Sequence, residues 1–125
     1  FRTMVYGFKT TFYKEMAIKP SLLDLVAYDT VIIGGPVWMG SVPPPLRTFI
    51  NQYPLDGKTV AAFCSMGKEP LHFFNRLKSY LGINSFKATL ALVEPLQNLQ
   101  VENLAEIDKF VEQIRKTVKL AVIKA

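Results

Sequence analysis

Apolar residues in this chain recur at two spacings, and the spacing changes at glycines and prolines. Val31-Ile32-Ile33-Gly34-Gly35 is a β-branched run closed by glycines and introduced by the turn-forming pair Tyr28-Asp29. It predicts a strand buried on both faces. Thr59-Val60-Ala61-Ala62-Phe63-Cys64 lies between the turn signal Leu55-Asp56-Gly57-Lys58 and Ser65-Met66-Gly67, and predicts a second strand of the same kind. From Phe86 to Val93, Phe86, Ala88, Leu90 and Leu92 alternate with Lys87, Thr89 and Ala91, the pattern of a strand near a sheet edge.

Between these runs the period lengthens to three and four. Leu46, Phe49, Ile50 and Tyr53 fall on one face of a helix opened by Pro43-Pro44-Pro45, where proline's fixed φ and missing N–H cost little. Leu71, Phe74, Leu77, Lys78 and Leu81 form the next such stripe, and Gly82 is a natural stop. A third runs through Leu104, Ile107, Val111, Ile114, Val118 and Ala121, with Asn103 as N-cap and Glu106 three residues on. Strand, helix, strand, helix, strand, helix is the order of a parallel sheet with right-handed crossovers, so the expected class is a doubly wound α/β fold. Ligands in such folds bind outside the carboxyl ends of the strands, which directs attention to the loops after Gly35 and Cys64.

Composition narrows this further. A chain of 125 residues, half of them hydrophobic, can bury one core, and residues 1–125 are read as a single domain. The longest apolar runs fall far short of the roughly 18 residues of a membrane span, and the N-terminus lacks a basic-then-apolar signal plan; the expectation is a cytoplasmic protein. A lone cysteine, Cys64, and a lone histidine, His72, exclude an intrachain disulfide and leave no Cys/His cluster for zinc. Cys64 ends a buried strand and reads as packing, and His72 as a solvated residue in the first turn of a helix. The net charge of +5 is spread along the chain without aromatic interleaving, so nucleic-acid binding is not expected.

The loop after the first strand reads Gly34-Gly35-Pro36-Val37-Trp38-Met39-Gly40-Ser41, led in by Tyr28-Asp29-Thr30-Val31-Ile32-Ile33. It resembles the flavodoxin-like family's third strand and the Gly-x-Pro-x-Trp-x-Gly loop that wraps the flavin. Leu55 to Ser65 is similar to the family's fourth strand, and Ser65-Met66-Gly67-Lys68 to the loop meeting the ring from the other side. The resemblance implies a three-layer α/β/α flavodoxin-like fold, with FMN bound through Pro36, Val37, Trp38, Met39, Gly40, Ser41, Ser65, Met66, Gly67 and Lys68. The chemistry agrees: a large flat ring needs an aromatic wall, which Trp38 can supply, and close backbone approach, which Gly35, Gly40 and Gly67 permit.

The family's phosphate-binding loop has no counterpart. Around Val5-Tyr6-Gly7-Phe8-Lys9-Thr10-Thr11, the residues Phe8, Phe12 and Tyr13 stand where small hydroxyl or glycine residues are required. Residues 1–27 are therefore read as a variable lead-in, and 28–125 as strands three to five with their helices. On that reading the domain is N-terminally incomplete, the strand at Val31-Ile32-Ile33 is an exposed apolar edge able to pair with a second copy as a homodimer, and FMN binding by this chain alone is weak or absent. Several charge-assisted hydrogen bonds of about 1.5–3 kcal/mol each would be missing.

The resemblance implies a protein that binds FMN noncovalently and transfers electrons to a redox partner. An NAD(P)H-dependent quinone or flavin reductase of the same fold is the first alternative, because +5 opposes the usual acidity of electron-carrier flavodoxins. A flavin-free interaction module is the second. No Ser-His-Asp, Cys-His or paired-carboxylate arrangement calls for a catalytic residue.

Overall fold

The computed structural model describes Ile18, residues 24–97 and residues 101–124, with side chains described as far as residue 116. Most of the lead-in, residues 1–27, lies outside these. A short 3-10 turn, Leu25–Ala27, is capped by the Asp24 carboxylate, which accepts from the Val26 N–H at 3.0 Å. Strand β1 (Thr30–Pro36), helix α1 (Pro44–Gln52), strand β2 (Thr59–Met66), helix α2 (Phe73–Leu81), strand β3 (Thr89–Val93) and helix α3 (Val101–Lys124) follow in that order.

The described strands form one parallel sheet in the order β1-β2-β3, with Ile33 opposite Ala62 and Cys64 opposite Ala91. Because strand side chains alternate in direction, the sheet has two distinct faces. Ile33, Val60, Ala62 and Cys64 meet Val42, Ile50, Phe73 and Leu77 of the α1–α2 side in one core. Ala61, Ala88 and Leu90 meet Phe110 and Ile114 of α3 in the other. Helices thus cover both faces, and the doubly wound three-layer expectation holds.

The elements stop where local chemistry dictates. Pro43 precedes α1 in extended conformation, with Pro44 and Pro45 occupying its first positions. Gly82 ends α2 at φ 67°, and Ile83 N–H reaches back to the Lys78 carbonyl at 3.2 Å, the reverse turn that a left-handed residue makes available.

Several expected burials are corrected. β1 is not buried on both faces: Ile33 is, but Ile32 is 50% exposed, because β1 is an edge of the described sheet and α3 packs across β2 and β3. On α1 the buried residues are Pro44, Arg47, Thr48 and Ile50, while Leu46, Phe49 and Tyr53 are half-buried. Arg47 can lie inward because its guanidinium sits 5.7 Å from the Tyr80 ring centre, and Thr48 because its hydroxyl donates to the Pro44 carbonyl at 3.1 Å. On α2 the buried pair is Phe73 and Leu77; Leu71 precedes the helix and is exposed. α3 begins at Val101, so Asn103 lies inside its first turn and donates a side-chain hydrogen bond to the Val93 carbonyl at 3.4 Å. Its packed stripe is Ile107, Phe110 and Ile114, with Leu104 and Val111 exposed. The side chains of Val118 and Ala121 lie outside the described residues.

β3 is shorter than predicted, yet Lys87 N–H donates to the Val60 carbonyl at 2.8 Å and the Ala88 carbonyl accepts from Ala62 at 3.0 Å, so its lead-in already tracks β2. Among the described residues no helix is long and apolar enough to cross a membrane.

Candidate functional site

The carboxyl ends of the three strands stand side by side, and backbone hydrogen bonds tie the turns that leave them. Val37 N–H donates to the Ser65 carbonyl at 3.0 Å, and Glu94 N–H to the Met66 carbonyl at 2.8 Å. Each loop is thereby held against the next.

After β1 the chain reverses in a two-residue turn. Trp38 N–H donates to the Ser41 carbonyl at 3.0 Å and Ser41 N–H to the Trp38 carbonyl at 2.9 Å, with Met39 and Gly40 both left-handed at φ 49° and 72°. Those signs are the ones a tight hairpin turn requires, and glycine meets them without strain at the second position. A Cβ at Gly40 would also press on Leu71 Cδ1 at 3.0 Å. The turn is anchored to the start of α2: His72 N–H donates to the Gly40 carbonyl at 3.0 Å, and Arg76 Nη1 to the buried Ser41 hydroxyl at 3.1 Å. His72 is exposed and sits just before α2, contributing its backbone to this anchor.

What the turn presents is Trp38. A cavity of about 480 Å3 opens beside it, walled by Pro36, Val37 and Trp38 from the first loop and by Ser65, Met66 and Gly67 from the second. The volume falls in the range of roughly 300–1,000 Å3 usual for small-molecule and cofactor sites. The remaining predicted residues do not line it. Met39 is the exposed tip of the turn, Gly40 and Ser41 are its anchors, and Lys68 is exposed beyond the cavity.

The third side of the cavity comes from Glu94, Pro95, Leu96 and Gln97, the loop after β3, which the motifs did not flag. Leu96 is 97% exposed at the rim, and Glu94 holds a left-handed φ of 42°. The signal available in the sequence was positional: this loop also leaves the carboxyl end of a parallel strand. On the far side of Trp38 and Pro36 a second, apolar cavity of about 400 Å3 is bounded by Gly34, Gly35, Pro43, Leu46 and Phe49.

Two features define what the first cavity can hold. A Cβ placed on Gly67 would meet no protein atom within 4 Å, so the space over this backbone is open to a ligand. Among the described residues the lining includes Glu94 and no Lys or Arg, so this part of it suits a neutral flat ring better than a phosphate. Cys64, one residue before Ser65, takes no part: it is fully buried, and burial pushes its thiol up to about 11, where it is neutral and unreactive at ordinary pH.

A family model described as a flavodoxin domain matches residues 10–81, a span that includes β1, the Trp38 turn, β2 and the Ser65–Lys68 loop. The chain belongs to the flavodoxin domain family. Two solved structures share the flavodoxin-like fold. One is a candidate flavoprotein from Bacteroides eggerthii DSM 20697, 29% identical, with a TM-score of 0.62 over 73% of this chain and 57% of that one. The other is a flavoprotein in complex with FMN from Lactobacillus acidophilus NCFM, 20% identical, with a TM-score of 0.62 over 87% of this chain and 67% of that one. The chain thus spans little more than half the length of the Bacteroides protein. No curated protein matches it.

Proposed function

We propose that this flavodoxin-family chain forms the ring-binding part of an FMN site and serves electron transfer. The observation that carries the reading is the convergence of three strand-end loops on one 480 Å3 cavity with Trp38 as its wall and open space over Gly67. The FMN complex of the Lactobacillus flavoprotein supports the choice of ligand.

In this role Trp38, held by the Met39-Gly40 turn, offers an aromatic face to the ring, and Leu96 offers apolar surface at the rim. Backbone from Ser65 to Gly67 approaches from the second side, where the absence of a Cβ leaves room. FMN, when bound, supplies the redox chemistry; the chain orients it and sets the polarity around it. Glu94 places negative charge by the cavity, which disfavours electron density on a nearby ring and so lowers its potential. The phosphate needs cationic or N–H donors from outside the described cavity lining.

A second reading, an NAD(P)H-dependent reductase of the same fold, is favoured by the +5 net charge, which draws in anionic nucleotides. One experiment separates the readings. FMN is added to the purified chain, unbound flavin is removed by desalting, and the visible spectrum is recorded before and after NADPH. Retained flavin bands support the FMN site, and bleaching by NADPH alone supports the reductase. A colourless protein leaves the flavin-free interaction module as the reading.

A further inference from the structure

A cavity of about 510 Å3 lies away from the Trp38 site, where residues 85–88 lead into β3 and Thr89 begins it, between α2 and α3. The strand that follows carries the chain roughly 15 Å to the Glu94 loop, so the two cavities sit at opposite ends of β3. Nothing in the flavin reading uses this second place.

Aromatic residues form part of its lining. Phe74 and Phe86 meet edge to face at 6.1 Å and 69°, and Phe110, buried in the α3 core, closes the other side. Its rim is cationic. Lys78 from α2, Lys87 from the lead-in to β3 and Lys109 from α3 all line the hollow, and Glu106 is the one acidic residue in its described lining. An anion entering the hollow is attracted by basic residues from three separate elements. The excess of two positive charges matches a phosphate monoester, which carries about −1.5 to −2 at neutral pH.

We infer that this cavity binds a planar aromatic molecule carrying a phosphate group, with the ring against Phe74 and Phe86 and the phosphate among Lys78, Lys87 and Lys109. Ser85 adds a neutral hydrogen-bonding group to the same lining. The inference stands whether or not the Trp38 site holds flavin, because it shares no residue with it.

The test is a titration of the full chain with AMP, followed by amide chemical shifts in nuclear magnetic resonance. Saturable shifts are expected at residues 85–89 and 106–113, weakening as salt is raised. Lys87→Gln and Lys109→Gln are solvent-facing changes that leave the melting temperature in place, and each is expected to weaken AMP by about two- to fivefold, the measure of one exposed ion pair. Inorganic phosphate, lacking a ring, is expected to bind at least about tenfold more weakly, as the lost stacking contact requires. Equal affinity for phosphate and AMP would reduce the hollow to a counter-ion patch and overturn the proposal. So would shifts confined to Trp38 and Gly67, affinities unchanged in both lysine variants, or no saturable shift at millimolar AMP.

Discussion

Gly34 shows how one missing side chain organises its neighbours. It pairs with Phe63 across β1 and β2, and a Cβ built on it would stand 2.0 Å from the Phe63 ring, which lies over the gap. The glycine looked like a strand terminator in the sequence, but it is the seat of an aromatic ring that shields the open side of β1. Gly34→Ala should therefore cost about 1–3 kcal/mol in urea unfolding, and Phe63→Leu in the same chain should recover part of it. Cys64 makes a prediction of the opposite kind. Burial raises its thiol from 9.0 to about 11, so the folded state holds this proton more tightly than the unfolded chain. Its contribution to stability is complete below about pH 9 and is lost as pH rises towards 11. Unfolding free energy should fall more steeply between those values in the natural protein than in Cys64→Ala. At this scale Trp38 and Pro36 were legible because glycines and prolines frame them. Glu94 to Gln97 were not, since a Glu-Pro-Leu-Gln run has no aromatic or glycine mark and becomes part of the site only through β3 standing beside β2.

Among the elements, the type and order of all the described strands and helices were readable from periodicity, while the inward faces of the helices were less so. α2 illustrates the reason. Phe73 and Phe74 are adjacent, and apolar spacing alone cannot say which points inward; the helix starts at Phe73, and Phe73 with Leu77 is fully buried. Leu77→Ala should cost about 2–5 kcal/mol by denaturant unfolding, because the emptied volume lies between β2 and two helices that cannot both close on it. Leu71→Ala, exposed before the helix, should cost well under about 1 kcal/mol. α3 was misread by one position in the same way: Phe110, not Val111, reaches the sheet, because the sheet's twist and the helix's approach select the face.

For the whole molecule, the sheet explains both the site and its exposure. Parallel order puts the carboxyl ends of β1, β2 and β3 in one row, so residues far apart in sequence, Trp38, Gly67 and Leu96, line one cavity. The same order leaves β1 at an edge among the described strands, with Ile32 half-exposed. We propose that this edge pairs with a second copy of the chain; Ile32→Lys should then lower the weight-average mass in sedimentation, since an edge lysine opposes strand addition. An unchanged mass would contradict that pairing.

The central claim is that a flavin ring rests against Trp38, and the protein carries its own reporter, because Trp38 is its single tryptophan. FMN added stepwise should quench Trp38 emission along a saturating curve. In Gly67→Ala, a change at an ordinary φ with nothing within 4 Å, stability should stay within about 0.5 kcal/mol while the curve moves to higher FMN, since the new methyl enters the ring's space. Emission that falls only in proportion to FMN absorbance, alike in both proteins, would contradict the account.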